Sequence, residues 1–307
     1  MKKLDLTKTG VIIAFALVAT ILWGSAYPCI KLGYEWFGMA AEDVPAKFLF
    51  AGVRFALAGL MTLGFGAVTG KKVPLPKKEN VPGLISLGLV LTMFHYTFFY
   101  IGLANTTGVK GAIVYGVSTF FAVLAAAICY KADRLTPRKW LGCLLGFCGI
   151  VYVNLGSGGL EGGFSLAGEG SLLLAAALFA VGNLMSKRMA GKESSVTITG
   201  WQLTIGGVAL TLAGIVMQGK LTLITGRGIA LLLYLALLSA VAFTVWTMLL
   251  QANSMGRVTI FNFLVPIFGV ILSGIILGEA FLTVRNMISL ACVSLGIYLV
   301  NMIPGKK

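Results

Sequence analysis

The chain has 307 residues, 58% of them hydrophobic and only 11% charged, with a mean hydropathy of +0.95. Soluble domains carry about 25% charged residues, so a water-solvated globule is excluded. The net charge of +14 does not make a nucleic-acid surface, because the basic residues fall in short loops and at the chain ends, where they orient helices.

Apolar runs of about 20 residues recur along the chain, the length a helix needs to cross roughly 30 Å of hydrocarbon. Segments of alternating hydropathy are absent, which excludes an outer-membrane barrel. Helix is then the way to satisfy every backbone group in lipid. The first run, Gly10 to Ile30 behind Lys2 and Lys3, is longer than a signal-peptide core and reads as an uncleaved first helix. Spans are predicted near 11–35, 46–69, 81–103, 108–130, 137–155, 168–189, 195–218, 227–250, 257–277 and 283–303. The fold class is therefore an all-α membrane protein of ten transmembrane helices. A glycine-rich connector, 156–167, free of lysine and arginine, joins a first unit (1–155) to a second (168–307).

The second unit repeats the first. Residues 149–155 read GIVYVNL and 296–302 read GIYLVNM; Ala104-Asn105-Thr106-Thr107-Gly108 recurs as Ala252-Asn253-Ser254-Met255-Gly256. Each copy holds five spans, an odd number, so the two are inverted relative to each other. Charge agrees. Of the 24 basic residues, Lys47, Lys110, Lys220, Arg227 and Arg285 fall on one side, and Lys31 and Arg54 lie within spans. The other seventeen fall on the side of the chain ends. Positive residues collect inside, so both termini are expected in the cytoplasm and the protein in the plasma (bacterial inner) membrane.

These features together resemble the drug/metabolite transporter superfamily, specifically its ten-helix EamA-type members. The residues that carry the resemblance are LWGSAYPCIK (22–31), Arg54, GLANTTG (102–108), Asn262-Phe263-Leu264-Val265-Pro266, Leu277-Gly278-Glu279 and Ser294-Leu295-Gly296. The resemblance implies carriage of small metabolites, often export of amino acids. It also implies a cavity lined by helices 1, 3 and 4 with 6, 8 and 9, while 5 and 10 pack behind. Three departures stand out: Ser118 where the repeat has Pro266, Lys131-Ala132-Asp133 where it has Gly278-Glu279-Ala280, and the added Pro28.

Candidate substrate contacts follow from helical spacing. Trp23, Tyr27 and Lys31 share a stripe of helix 1, with Gly24-Ser25 leaving room beside the indole. His95, the single histidine, lies mid-helix with Tyr96 and Phe99; an intramembrane histidine faces protein or water. Tyr115 and Thr119 share a face of helix 4, Asn183 with Ser186 one of helix 6, and Trp246 belongs to helix 8. Helix 9 presents Thr259, Asn262 and Pro266; Pro28 and Pro266 mark expected helix breaks, since proline frees a carbonyl. Lys31 and Arg54 either snorkel and hold helix ends or contact an anion.

Five cysteines without CxxC spacing argue against disulfides and metal, and no cofactor motif is present. The expected partners are the lipid bilayer and a small-molecule substrate, an amino acid or a related zwitterionic, aromatic or cationic solute, since tryptophan and tyrosine faces attract cations. Gly142 and Gly146 allow close helix contact within the chain or between two copies. A competing reading, an intramembrane enzyme built on Ser118 and His95, lacks a third orienting group; proton coupling would rest on His95 alone.

Overall fold

A computed structural model describes residues 5–71, 73–129, 136–154, 164–253, 258 and 260–301. Most of the connector, the Lys131-Ala132-Asp133 tripeptide, Thr259 and both chain ends lie outside the described residues.

The described chain is helical: α1 (Thr9–Trp36), α2 (Val44–Gly70), α3 (Lys78–Ala104), α4 in two pieces (Gly108–Tyr115 and Ser118–Cys129), α5 (Pro137–Asn154), α6 (Leu166–Met189), α7 (Ser195–Val216), α8 (Gly226–Ala252), α9 (Leu264–Leu277) and α10 (Val284–Asn301). Six of them (α1, α2, α3, α6, α7 and α8) are long and apolar enough to cross a membrane unaided. Starts are set by side chains that take the orphan first-turn N–H groups. Asp43 accepts from Ala46 N at 3.0 Å, Thr107 from Lys110 N at 3.0 Å, Ser194 from Thr197 N at 3.1 Å and Thr225 from Gly228 N at 3.2 Å.

Contacts between helix ends fix the directions. Asn253, just past α8, donates to the Leu6 carbonyl before α1, and Lys77 and Asn80 at the start of α3 donate to Glu193 after α6. Across the molecule, Thr222 before α8 donates to the Phe37 carbonyl after α1. Helices α1 and α6 therefore run in opposite senses, as an inverted repeat demands. One surface, called here the amino-terminal face, carries the start of α1; the other is the opposite face.

Packing mixes the repeats. Helix α1 packs on α8 and α9 of the other copy, and α6 packs on α3 and α4; α2 lies along its counterpart α7, and α5 along α10. Two triads result, α1–α8–α9 and α6–α3–α4, each with members from both halves. The α2–α7 seam is made of glycines at seven-residue spacing, Gly52 and Gly59 against Gly200, Gly207 and Gly214, which keeps small residues on one side of both helices. A Cβ added at Gly214 would lie 2.7 Å from the Leu49 amide nitrogen. Likewise Gly296 of α10 touches the backbone of Gly142 and Gly146, so that stripe of α5 is used within the chain.

The prolines behave differently from each other. Pro28 does not break α1, which runs on from Thr9 to Trp36; it removes one N–H, a loss a helix can absorb without ending. Pro266 lies in the first turn of α9, directly after a 3₁₀ turn at Ile260–Phe263, so the break precedes it. Helix α4 is interrupted at Gly116-Val117 although Ser118 replaces the proline. The interruption is thus common to both copies and does not depend on proline.

Candidate functional site

Where the two triads meet, the helices enclose a cavity of about 50 Å³, room for roughly three or four waters. Its wall comes from α1 (Trp23, Ala26, Tyr27, Ile30), α2 (Arg54), α3 (His95, Tyr96, Phe99), α4 (Tyr115) with Gly116 and Ser118 at its interruption, α6 (Phe179) and the α9 region (Asn262, Val265, Pro266). Of the substrate contacts expected from sequence, Trp23, Tyr27, His95, Tyr96, Phe99, Tyr115 and Asn262 are brought together here. Thr119, Asn183 and Trp246 are buried but do not line it. Trp246 instead stands edge-on to Trp23 with centroids 5.1 Å apart, and its indole N–H has no partner among the described residues. Phe179 was not anticipated. The available signal was its place one helical turn before Asn183; its ring lies 5.4 Å from His95 and 6.1 Å from Trp23.

Helix α3 is shaped to hold His95. A π-turn spans Leu89–Phe94, and the N–H groups that close it reach the carbonyls of Val90 and Thr92. The Leu91 carbonyl between them receives the imidazole Nδ1–H at 3.1 Å. A carbonyl can only accept, so Nδ1 carries the proton; Nε2 pairs with the Tyr115 hydroxyl at 2.7 Å, accepting from it when the ring is neutral. π-turns are frequent at functional sites. Both imidazole nitrogens are occupied, and neither bonds Ser118, so the serine–histidine pair of the enzyme reading does not form.

Arg54 enters the cavity wall from α2 and is 1% exposed. Its Nε donates to the Leu235 carbonyl (3.1 Å), Nη1 to the Tyr100 hydroxyl (2.7 Å) and Nη2 to Ser239 (2.9 Å). Tyr100 is itself tied through its carbonyl to the Tyr34 hydroxyl at 2.8 Å. Gly24 admits the α9 backbone rather than a solute; a Cβ there would lie 3.0 Å from Gly269 N.

Lys31 does not reach the cavity. Its ammonium donates to the carbonyls of Leu103 (3.1 Å) and Thr106 (2.5 Å), capping the end of α3 at the opposite face. Lys187 on α6 does the same for α8 at the amino-terminal face, donating to Leu250 (2.5 Å) and Asn253 (3.1 Å). Each lysine crosses from one triad to the other. Glu279, after α9, adds a tie at the opposite face: its two carboxylate oxygens accept from Gly108 N and Val109 N at 2.8 and 2.7 Å, at the electropositive start of α4. Beside it Glu169 of α6, buried, pairs with Lys110 at 2.8 Å.

Two inverted repeats of membrane helices with a shared site between them are the build of many membrane transport proteins. The chain belongs to the EamA-like transporter family, whose description matches residues 10–155 and again 166–302, in keeping with the drug/metabolite transporter superfamily. It is 28% identical over 308 residues to the uncharacterised transporter YvbV of Bacillus subtilis, covering 98% of this chain and 94% of that one. It is 27% identical to a WAT1-related chloroplastic protein of Arabidopsis thaliana (92% and 67% covered). It is 26% identical to the inner membrane transporter YedA of Escherichia coli (92% and 88% covered). A solved crystal structure 18% identical in sequence superposes with a TM-score of 0.71 over 95% of this chain and 96% of that chain, a likeness of fold.

Proposed function

We propose that the protein is a secondary transporter that exports a small metabolite, an amino acid or a related solute with an aromatic or apolar body, by alternating access. The observation that carries this is the position of the cavity between two mixed triads, tied together by Lys31 at one face and by Lys187 at the other. Rocking one triad against the other opens one face only when its tie is released, while the second tie keeps the far face closed. The amino-terminal face is the cytoplasmic one, by the excess of basic residues there, and the membrane is the plasma membrane. Trp23, with Phe179 and Phe99, forms the apolar cradle; the Tyr115 hydroxyl, held by His95, supplies the directed polar contact, with Asn262 also on the wall.

Counterflow in proteoliposomes tests the reading. Vesicles loaded with unlabelled solute and screened against labelled amino acids and related metabolites are expected to accumulate at least one label uphill. Trp23→Ala and His95→Ala each should cut that rate by about tenfold or more, the loss expected when one buried contact worth about 1.5 kcal/mol is removed. Transport unchanged in both variants would remove this cavity as the site, and flux without uphill accumulation would indicate a channel.

A further inference from the structure

Among the fifteen lining residues there is one permanent charge, the Arg54 guanidinium, and no aspartate or glutamate. All three of its hydrogen bonds end on neutral oxygens, and the ion pair found among the described residues, Lys110–Glu169, lies at the opposite face. A cation buried at this depth without a counter-charge is expensive and marks a site where a charge partner arrives from elsewhere.

The second repeat shows that packing does not require the charge. The residue equivalent to Arg54 is Gln202 of α7. Arg54 reaches Ser239 on α8; Gln202 accepts from Thr92 on α3 at 3.4 Å, one position along from Leu91, the repeat counterpart of Ser239. The two contacts are the same link between a second helix and a third helix, made once by an amide and once by a guanidinium. The amide does not line the cavity and the guanidinium does. The charge is therefore surplus to the helix link, on the side where a solute can meet it.

Other donors face the same space. Tyr27 and Tyr96 line the cavity and their hydroxyls make no hydrogen bond among the described residues, and two guanidinium N–H groups remain after the three bonds named above. On His95, whose Nε2 is taken by Tyr115, no acceptor is left for an ammonium.

We propose that Arg54, with the Tyr27 and Tyr96 hydroxyls, binds the carboxylate of the solute, and that the protein prefers an organic monoanion to the corresponding neutral or cationic molecule. This rests on the transporter reading above and narrows it to carboxylates that carry no ammonium, setting aside both cationic metabolites and zwitterionic amino acids. The aromatic faces would attract a cation, but Arg54 opposes it with a full charge in a medium of low dielectric. The remaining wall takes the apolar body, with the cavity widening to admit it.

Purified protein in detergent is titrated with three molecules of nearly equal shape, phenylacetate, phenylacetamide and 2-phenylethylamine, and binding is read from tryptophan fluorescence, since Trp23 lines the site. Phenylacetate should bind about tenfold or more tightly than either of the others. Arg54→Gln should abolish that preference and Arg54→Lys should keep part of it; the comparison on the unmutated protein stands even if a variant fails to fold. Equal binding of the three, tighter binding of the amine, no binding of any, or a preference that survives Arg54→Gln overturns the inference. Phenylacetate binding that depends on Arg54, in a protein without counterflow, would leave this site standing and remove the transporter reading instead.

Discussion

Replacing Gly207 by valine should leave little folded, monodisperse protein in detergent. Helix α7 presses its backbone on α2 at this point: an added Cβ would fall on the Ala56 amide nitrogen and 2.7 Å from the Phe55 carbonyl carbon. No flexible side chain stands between them, so the two helices must separate along the seam that Gly52, Gly59, Gly200 and Gly214 also form. Overpacking of a core costs about 1–3 kcal/mol where side chains can yield, and a backbone-to-backbone clash exceeds that range. Separation also draws α2 away from α8 and so stretches the Arg54 bonds to Leu235 and Ser239. Size-exclusion profiles and thermal unfolding of the purified variant measure the outcome. Gly64→Ala on the same α2 is the control, because a Cβ there meets nothing within 4 Å; it should elute and melt like the parent. Equal profiles for Gly207→Val and the parent would mean that the seam is not closely packed.

The glycine seam shows what the sequence conveys and what it withholds. Hydropathy and the repeated motifs are enough to predict ten helices and their inversion, because length in lipid and an odd count leave few alternatives. They do not say which helices touch. That α1 packs on α8 and α9 rather than on its own repeat follows from where small residues such as Gly24 and Gly269 let backbones approach, and several pairings of glycine stripes are open to a one-dimensional pattern. The site was legible where aromatic and polar residues recur at helical spacing, hence Trp23 with Tyr27 and His95 with Phe99. It was illegible where a side chain's direction depends on its neighbours. Trp246 looks like a lining residue and instead buttresses Trp23. Lys31 shares a stripe with Trp23 and Tyr27 yet turns to cap α3, since an ammonium near a helix C-terminus finds unpaired carbonyls before it finds a cavity. The π-turn that frees Leu91 for His95 leaves no mark in composition.

Lys31→Met and Lys187→Met should shift the protein in opposite directions. Each lysine ends on one carbonyl of the last turn of a helix in the other triad and one just past it, Lys31 at the end of α3 on the opposite face and Lys187 at the end of α8 on the amino-terminal face. Methionine keeps most of the length and the apolar stem but donates nothing, so one closure weakens while the other stays. A hydrogen bond with a charged donor contributes about 1.5–3 kcal/mol. Release of the ammonium to water returns part of this, and a net loss near the lower bound moves the population of the open form about tenfold. The readout is the labelling rate of a single cysteine at Ala26, a cavity-lining position, in a background without the five natural cysteines. A membrane-impermeant maleimide is applied to right-side-out and to inverted vesicles. Lys31→Met should speed labelling from the opposite face and slow it from the amino-terminal face, and Lys187→Met should do the reverse. Combining the two should cancel most of the bias, because the two closures act on one equilibrium. If both single variants speed labelling from the same face, or if neither changes it, the lysines only finish helix ends. The alternation would then have to depend on other contacts between the triads, with Glu279 at the start of α4 the next to be tested.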